Sequence, residues 1–180
     1  MYEDIIEILS DRQRKFDGLI IHVDHLTAKL PNGKTAPREI VVHKGASAVV
    51  PVDDQGNVYL VRQFRSPLER VTLEIPAGKL DFEREDHLEA ARRELKEETG
   101  FTAANWRHLN DMATTPGFCT EVIALYLATG LSAGDTDFDE DEFLNLVKMP
   151  LKDAVELCMK GEIQDSKTIC GLLMADKLLG

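Results

Sequence analysis

The spacing of apolar residues changes several times along the chain, and each change marks an element. Residues 2–13 are read as a short helix. Residues 19–26 and 39–43 are dense in β-branched and apolar side chains and predict strands, and Pro31-Asn32-Gly33-Lys34 between them carries turn chemistry. That pairing predicts an N-terminal β-hairpin. Further strands are expected over 46–52, 58–64 and 71–75, with the polar run 53–57 as a turn. A helix follows, in which Leu88, Ala91 and Leu95 recur at helical spacing with Phe101 beyond them. Strands are predicted over 106–113, 121–128 and 143–149, and helices over 151–159 and 166–179. Strands interleaved with helices that each have one apolar face predict an α/β sandwich.

The central helix carries more than an apolar stripe. Arg93-Glu94-Leu95-Lys96-Glu97-Glu98-Thr99-Gly100-Phe101 sets three carboxylates on one face and stops at a glycine. Two such charges about 4 Å apart repel by roughly 4 kcal/mol at an effective dielectric near 20. The stripe therefore points to a hard divalent cation that prefers oxygen ligands, such as Mg²⁺. A solvated acidic face is the plainer explanation of any Glu-Glu pair beside Arg and Lys, but the preceding segment argues against it. Glu74-Ile75-Pro76-Ala77-Gly78-Lys79-Leu80 reads as a strand end and a turn fixed by Pro76 and Gly78. Gly100 reads as a left-handed helix stop.

These residues resemble the signature of the Nudix hydrolases, G-x5-E-x7-R-E-U-x-E-E-x-G-U, in which U is a bulky apolar residue. Gly78, Glu85, Arg93, Glu94, Leu95, Glu97, Glu98, Gly100 and Phe101 match it, except that six residues rather than five separate Gly78 from Glu85. The resemblance implies an α/β/α sandwich with a mixed sheet, preceded by the β-hairpin extension. It implies that Glu94 and Glu98 are the main ligands of Mg²⁺, with Mn²⁺ as the alternative ion. Glu97 is implied as a further ligand or catalytic aid, and the Ala77 carbonyl as a ligand from the preceding loop. Arg93, four residues before Glu97, is placed to orient that carboxylate.

Composition narrows the partners. The chain has 180 residues and a formal net charge of −11, which disfavours nucleic acid and anionic membranes as partners. An anionic small molecule stays compatible, because bound cations reverse the local sign. Cys119, Cys158 and Cys170 are widely spaced without a paired motif and are read as reduced thiols, with Cys158 and Cys170 in the core. The five histidines form no zinc motif. Tyr2-Glu3-Asp4 is unlike a secretory leader, and no apolar run has membrane-spanning length, so a soluble cytoplasmic protein is expected.

Two domains are expected: 1–43, an extension that in the resembling subfamily forms a homodimer and contributes to the partner's site, and 44–180, the hydrolase. Glu74-Ile75-Pro76-Ala77-Gly78 and Thr115-Pro116-Gly117-Phe118 resemble the ADP-ribose pyrophosphatases, in which a proline at this distance beyond the motif is a discriminator; Pro116 lies fifteen residues after Phe101. The implied reaction is hydrolysis of ADP-ribose to AMP and ribose 5-phosphate. By position in the acidic run 137–142, Glu142 is assigned as a metal ligand and Glu140 as the catalytic base, with Glu97 second for that role. Arg38, Arg62 and Arg65 suit phosphate or ribose oxygens, and Tyr2 or Phe16 could stack on the base. Two alternatives stay open: hydrolysis of another nucleoside diphosphate sugar, such as a UDP- or GDP-hexose, and a non-catalytic domain that senses a nucleotide metabolite.

Overall fold

The computed structural model describes residues 2, 4–82, 84–134 and 144–180. The chain divides into two compact units, Met1–Gly45 with Ala113–Glu121, and Ala46–Met112 with Val122–Gly180.

The first unit is a three-stranded antiparallel meander, β1 (Ile8–Asp17), β2 (His22–Lys29) and β3 (Thr35–Val42). The Asn32-Gly33 turn joins β2 to β3: Gly33 has φ 82°, and the Asn32 side chain accepts the Lys34 amide at 3.0 Å. The short helix expected over 2–13 is not formed, because β1 occupies most of that stretch and turns the hairpin into a sheet. A tertiary ion pair explains the outcome. Arg12 and Arg14, two apart on β1, both reach the carboxylate of Asp24 on β2, which is 1% exposed. Residues two apart share a face of a strand but point about 200° apart on a helix. The segment 113–121, grouped from sequence with the larger domain, pairs with β3 in this unit: the Val41 amide donates to the Phe118 carbonyl at 2.7 Å, and Thr120 donates back to Val41 at 2.9 Å.

The second unit is an α/β/α sandwich. Its strands are β4 (Ala46–Pro51), β5 (Asn57–Arg65), β6 (Arg70–Glu74), β7 (Ala77–Lys79), β8 (Phe101–Ala113), β9 (Val122–Ala133) and β10 (Asn145–Pro150). One mixed sheet runs β7-β4-β9-β8, with β4 parallel to β9 and antiparallel to β7; an antiparallel sheet runs β10-β5-β6. The helices are α1 (His87–Thr99), α2 (Leu151–Met159) and α3 (Ser166–Leu179). All six residues of β4 are buried, as a strand covered on both faces requires. Val49 packs with Ala91 and Leu95 of α1 and with Tyr126, whereas Ala48 and Val50 pack with Leu125 and with Leu172 and Ala175 of α3. β7 was not among the expected strands; at three residues it is too short to show a period.

Below this core lies a buried ionic clamp. Glu74, 2% exposed at the end of β6, accepts two hydrogen bonds from Arg65, Nε at 2.8 Å and Nη2 at 2.7 Å. Thr72 donates at 2.6 Å, and Lys167 of α3 contacts the same carboxylate. Burial alone would raise the Glu74 pKa, but Arg65 and Lys167 outweigh it and hold the group at about 2, below its ordinary 4.5. A depressed carboxyl contributes stability above its unfolded pKa that disappears as the pH falls through the folded one. Unfolding free energy from urea titration should therefore drop by roughly 3 kcal/mol between about pH 4.5 and pH 2 on account of this group. In Glu74→Gln that step should vanish, and stability at neutral pH should be lower by about 3–5 kcal/mol, because Lys167 and Arg65 lose their counter-charge.

Candidate active site

Helix α1 is delimited at both ends by its own sequence. The Asp86 side chain caps the N-terminus, accepting from Leu88 at 2.9 Å and Glu89 at 3.1 Å. Gly100 ends the helix at φ 72°, and its amide donates to the Lys96 carbonyl at 2.8 Å. With Ala91 and Leu95 locked into the core, Glu94 and Glu98 come to lie 6% and 2% exposed, whereas Glu97 keeps 31% of its side chain open to solvent. The i, i+4 pair is thus buried, and the third carboxylate stands at the margin.

β7 supplies the opposing wall. The Ala77 amide donates to Glu98 Oε2 at 3.1 Å. A Cβ on Gly78 would overlap the Glu94 carboxylate, with Glu94 Oε1 its nearest neighbour. This corrects the reason expected for Gly78. Its φ is not positive and it lies within a strand paired with Ser47, so a tight turn does not require glycine there. Close approach of a carboxylate does.

Arg93 ties the acidic residues together. Its Nη1 donates to Glu94 Oε1 at 2.7 Å and Glu97 Oε2 at 3.1 Å, and its Nη2 donates to the Lys79 carbonyl at 3.2 Å. Nε lies 3.5 Å from both Asp81 and Glu85. Burial opposes the charge on this guanidinium, yet the carboxylates of Glu94, Asp81, Glu85 and Glu97 raise its pKa above the ordinary value. The extra residue between Gly78 and Glu85 has not displaced Glu85, which is brought to Arg93 and accepts the Asp81 amide at 2.7 Å. The reach of Arg93 to Asp81 and to the Lys79 carbonyl was not read from sequence. The Glu85–Arg93 pairing has no helical spacing behind it, because Glu85 precedes the Asp86 cap and lies outside α1.

The donor set suits a hard cation. Glu94 and Glu98 present adjacent carboxylates against the Ala77 backbone, and glycine at 78 leaves room for them. Among the described residues, no three His, Cys, Asp or Glu side chains converge as a ready-made cage. Mg²⁺ does not need one, because it keeps several waters and takes ligands from substrate phosphates.

The remaining predicted site residues belong to one unit or the other, or lie outside the described residues. Glu140 and Glu142 lie outside the described residues. Arg62 is in the second unit on β5, lining a cleft of about 290 Å³ with Arg70, Leu73, Met149 and Gln164. Arg65 is committed to Glu74. Arg38, on β3 of the first unit, is paired with Glu7, its Nε donating at 2.9 Å. Pro116 lies in the first unit, in a turn where the Phe118 amide donates to the Thr115 carbonyl at 3.1 Å. Tyr2 and Phe16, also in the first unit, are 66% and 55% exposed. All three cysteines are free and partly buried. Among the described residues, no helix is long and apolar enough to cross a membrane.

Known proteins are similar to this chain over most of its length. The ADP-ribose pyrophosphatase of Bacillus subtilis is 43% identical over 159 residues, covering 87% of this chain and 85% of that protein. The methanol dehydrogenase activator of Bacillus methanolicus is 42% identical over 156 residues, covering 86% and 84%. A crystal structure of an ADP compounds hydrolase superposes with a TM-score of 0.84 at 23% identity, covering 96% of this chain and 94% of that one, and so shares the fold. The NUDIX domain model matches residues 42–171, and the chain belongs to the NUDIX family.

Proposed function

We propose that this chain hydrolyses ADP-ribose, adding water across the diphosphate to release AMP and ribose 5-phosphate, with Mg²⁺ as cofactor. The observation that carries the reading is the buried Glu94–Glu98 pair set against Ala77 and Gly78 on the NUDIX helix. The identity to a Bacillus subtilis ADP-ribose pyrophosphatase directs it to this substrate.

Glu94, Glu98 and the Ala77 carbonyl would hold the ion, with Glu142 as a further proposed ligand. When bound, Mg²⁺ supplies charge neutralisation at the diphosphate and favours ionisation of water. The remaining work falls to the chain. Arg93 keeps Glu94 and Glu97 oriented by hydrogen bonds from one guanidinium nitrogen. A carboxylate takes the proton of the attacking water; Glu140 is proposed for this, and Glu97, partly open to solvent, is the second candidate. Arg62 and Arg38 are proposed as contacts to phosphate or ribose on the chemistry of their guanidinium groups, and Pro116 as a substrate contact.

A homodimer in the cytoplasm completes the proposal. Support for a second copy comes from the first unit, where Ile5, Ile8, Phe16, Leu19 and Ile20 are all more than half exposed. Three free cysteines agree with a reducing compartment.

Products from ADP-ribose and from UDP- and GDP-hexoses, each with and without Mg²⁺, test the function directly. Metal-dependent AMP, formed fastest from ADP-ribose, is expected; preference for a hexose would move the substrate, and no turnover would leave a sensor. Glu98→Gln should lower kcat/KM at least about 100-fold, the equivalent of some 3 kcal/mol of transition-state stabilisation. Wild-type turnover in that variant would refute the assignment. Gly78→Ala forces the Glu94 carboxylate aside. It should reduce kcat by about tenfold or more through misplacement, and overpacking should lower stability by only about 1–3 kcal/mol in a parallel urea titration.

A further inference from the structure

Consecutive residues in the first turn of α3 grip consecutive residues on the way into β7. Lys167 contacts Glu74, and Thr168 Oγ1 accepts the Ile75 amide at 2.9 Å. Thr168 is fully buried, and both hydrogen-bonding roles of its hydroxyl are used, since it also donates to Asp165 Oδ2 at 2.5 Å. Asp165 is the α3 cap: it accepts the Thr168 amide at 2.9 Å and lies 3.1 Å from Lys167 Nζ. Gly171 allows this close seating, because a Cβ there would stand 2.8 Å from Val50 Cγ2 and 3.2 Å from Ile75 Cδ1.

The gripped segment continues directly to the metal wall. The Pro76 carbonyl accepts the Val49 amide at 2.9 Å, and the Ala77 amide donates to Glu98. Three successive residues are therefore held by three different elements: Ile75 by α3, Pro76 by β4 and Ala77 by α1. Proline between the two outer grips stiffens the link, as its φ is locked near −65°. With that φ fixed, fewer rotations are left between Ile75 and Ala77 to absorb a shift.

We propose that Thr168 is a positioning residue for the metal site, acting through the Ile75 amide to hold Ala77 in register with Glu98. The inference rests on the reading of Ala77, Glu94 and Glu98 as the ligands. Thr168→Val keeps the shape and removes the acceptor, so the buried Ile75 amide is orphaned and the segment must move to satisfy it.

The test is titration of the full-length protein with Mn²⁺ in the absence of substrate, with free ion read by electron paramagnetic resonance. Thr168→Val should bind Mn²⁺ about 10- to 100-fold more weakly, the range for loss of a group that orients ligands, and Thr168→Ser should restore the affinity. Wild-type affinity in Thr168→Val would overturn the proposal. Glu98→Gln in the same titration separates the two claims. If it weakens binding while Thr168→Val does not, the positioning role alone fails; if it binds as tightly as wild type, the ligand assignment fails and takes this inference with it. Should Thr168→Val not fold, amide hydrogen exchange on the unaltered protein decides. Saturating Mg²⁺ should slow exchange at both Ala77 and Ile75, and protection confined to Ala77 would overturn the link.

Discussion

Two carboxylates one helical turn apart, both nearly sealed from water, are the constraint around which the second unit is arranged. Burying Glu94 and Glu98 together is costly unless oriented donors or cations meet them. Arg93 meets the first, and the Ala77 amide meets the second. The second answer depends on β7 lying against α1, and that depends on glycine at position 78. A three-residue strand thus sets the surroundings of this buried carboxylate pair.

At the end of β6, in the antiparallel sheet, another buried carboxylate is met in a different way. There Glu74 is matched by Arg65 and Lys167 in fixed hydrogen bonds, which leaves no coordination capacity over for a ligand. The two carboxylate sites are only three residues apart at Glu74 and Ala77, yet one is met by side chains from β5 and α3, and the other by Arg93 of its own helix and by the Ala77 amide. Burial of charge alone therefore does not distinguish a binding site from a structural ion pair; the identity of the partners does.

Local patterns carried the sequence reading where the relevant contacts are local. Leu151–Met159 and Ser166–Leu179 form helices over the predicted residues, and the stop at Gly100 follows from its backbone requirement alone. The alternation and run length of 46–52, 58–64 and 71–75 placed β4, β5 and β6 to within a residue or so. What failed was non-local. β1 exists because Arg12 and Arg14 meet Asp24 on another strand, and nothing within residues 2–13 announces that pairing. The Lys167–Glu74 contact spans 93 positions, so no spacing rule finds it. Gly78 was recognised as a requirement but for the wrong physical cause, because a steric need created by Glu94 is invisible until α1 is docked.

The loop between β7 and α1 shows how this family member tolerates an additional residue. Arg93 reaches the Lys79 carbonyl and Asp81 on one side of the loop and Glu85 on the other, so the two ends are pinned to a single side chain. Lengthening a loop whose ends are already held costs little, since closure entropy grows only with the logarithm of its length. Helix α1 is thereby held independently of the length of the loop before it. Asp81 and Glu85 thus serve as two fixed points between which the chain can vary while the start of α1 keeps its place.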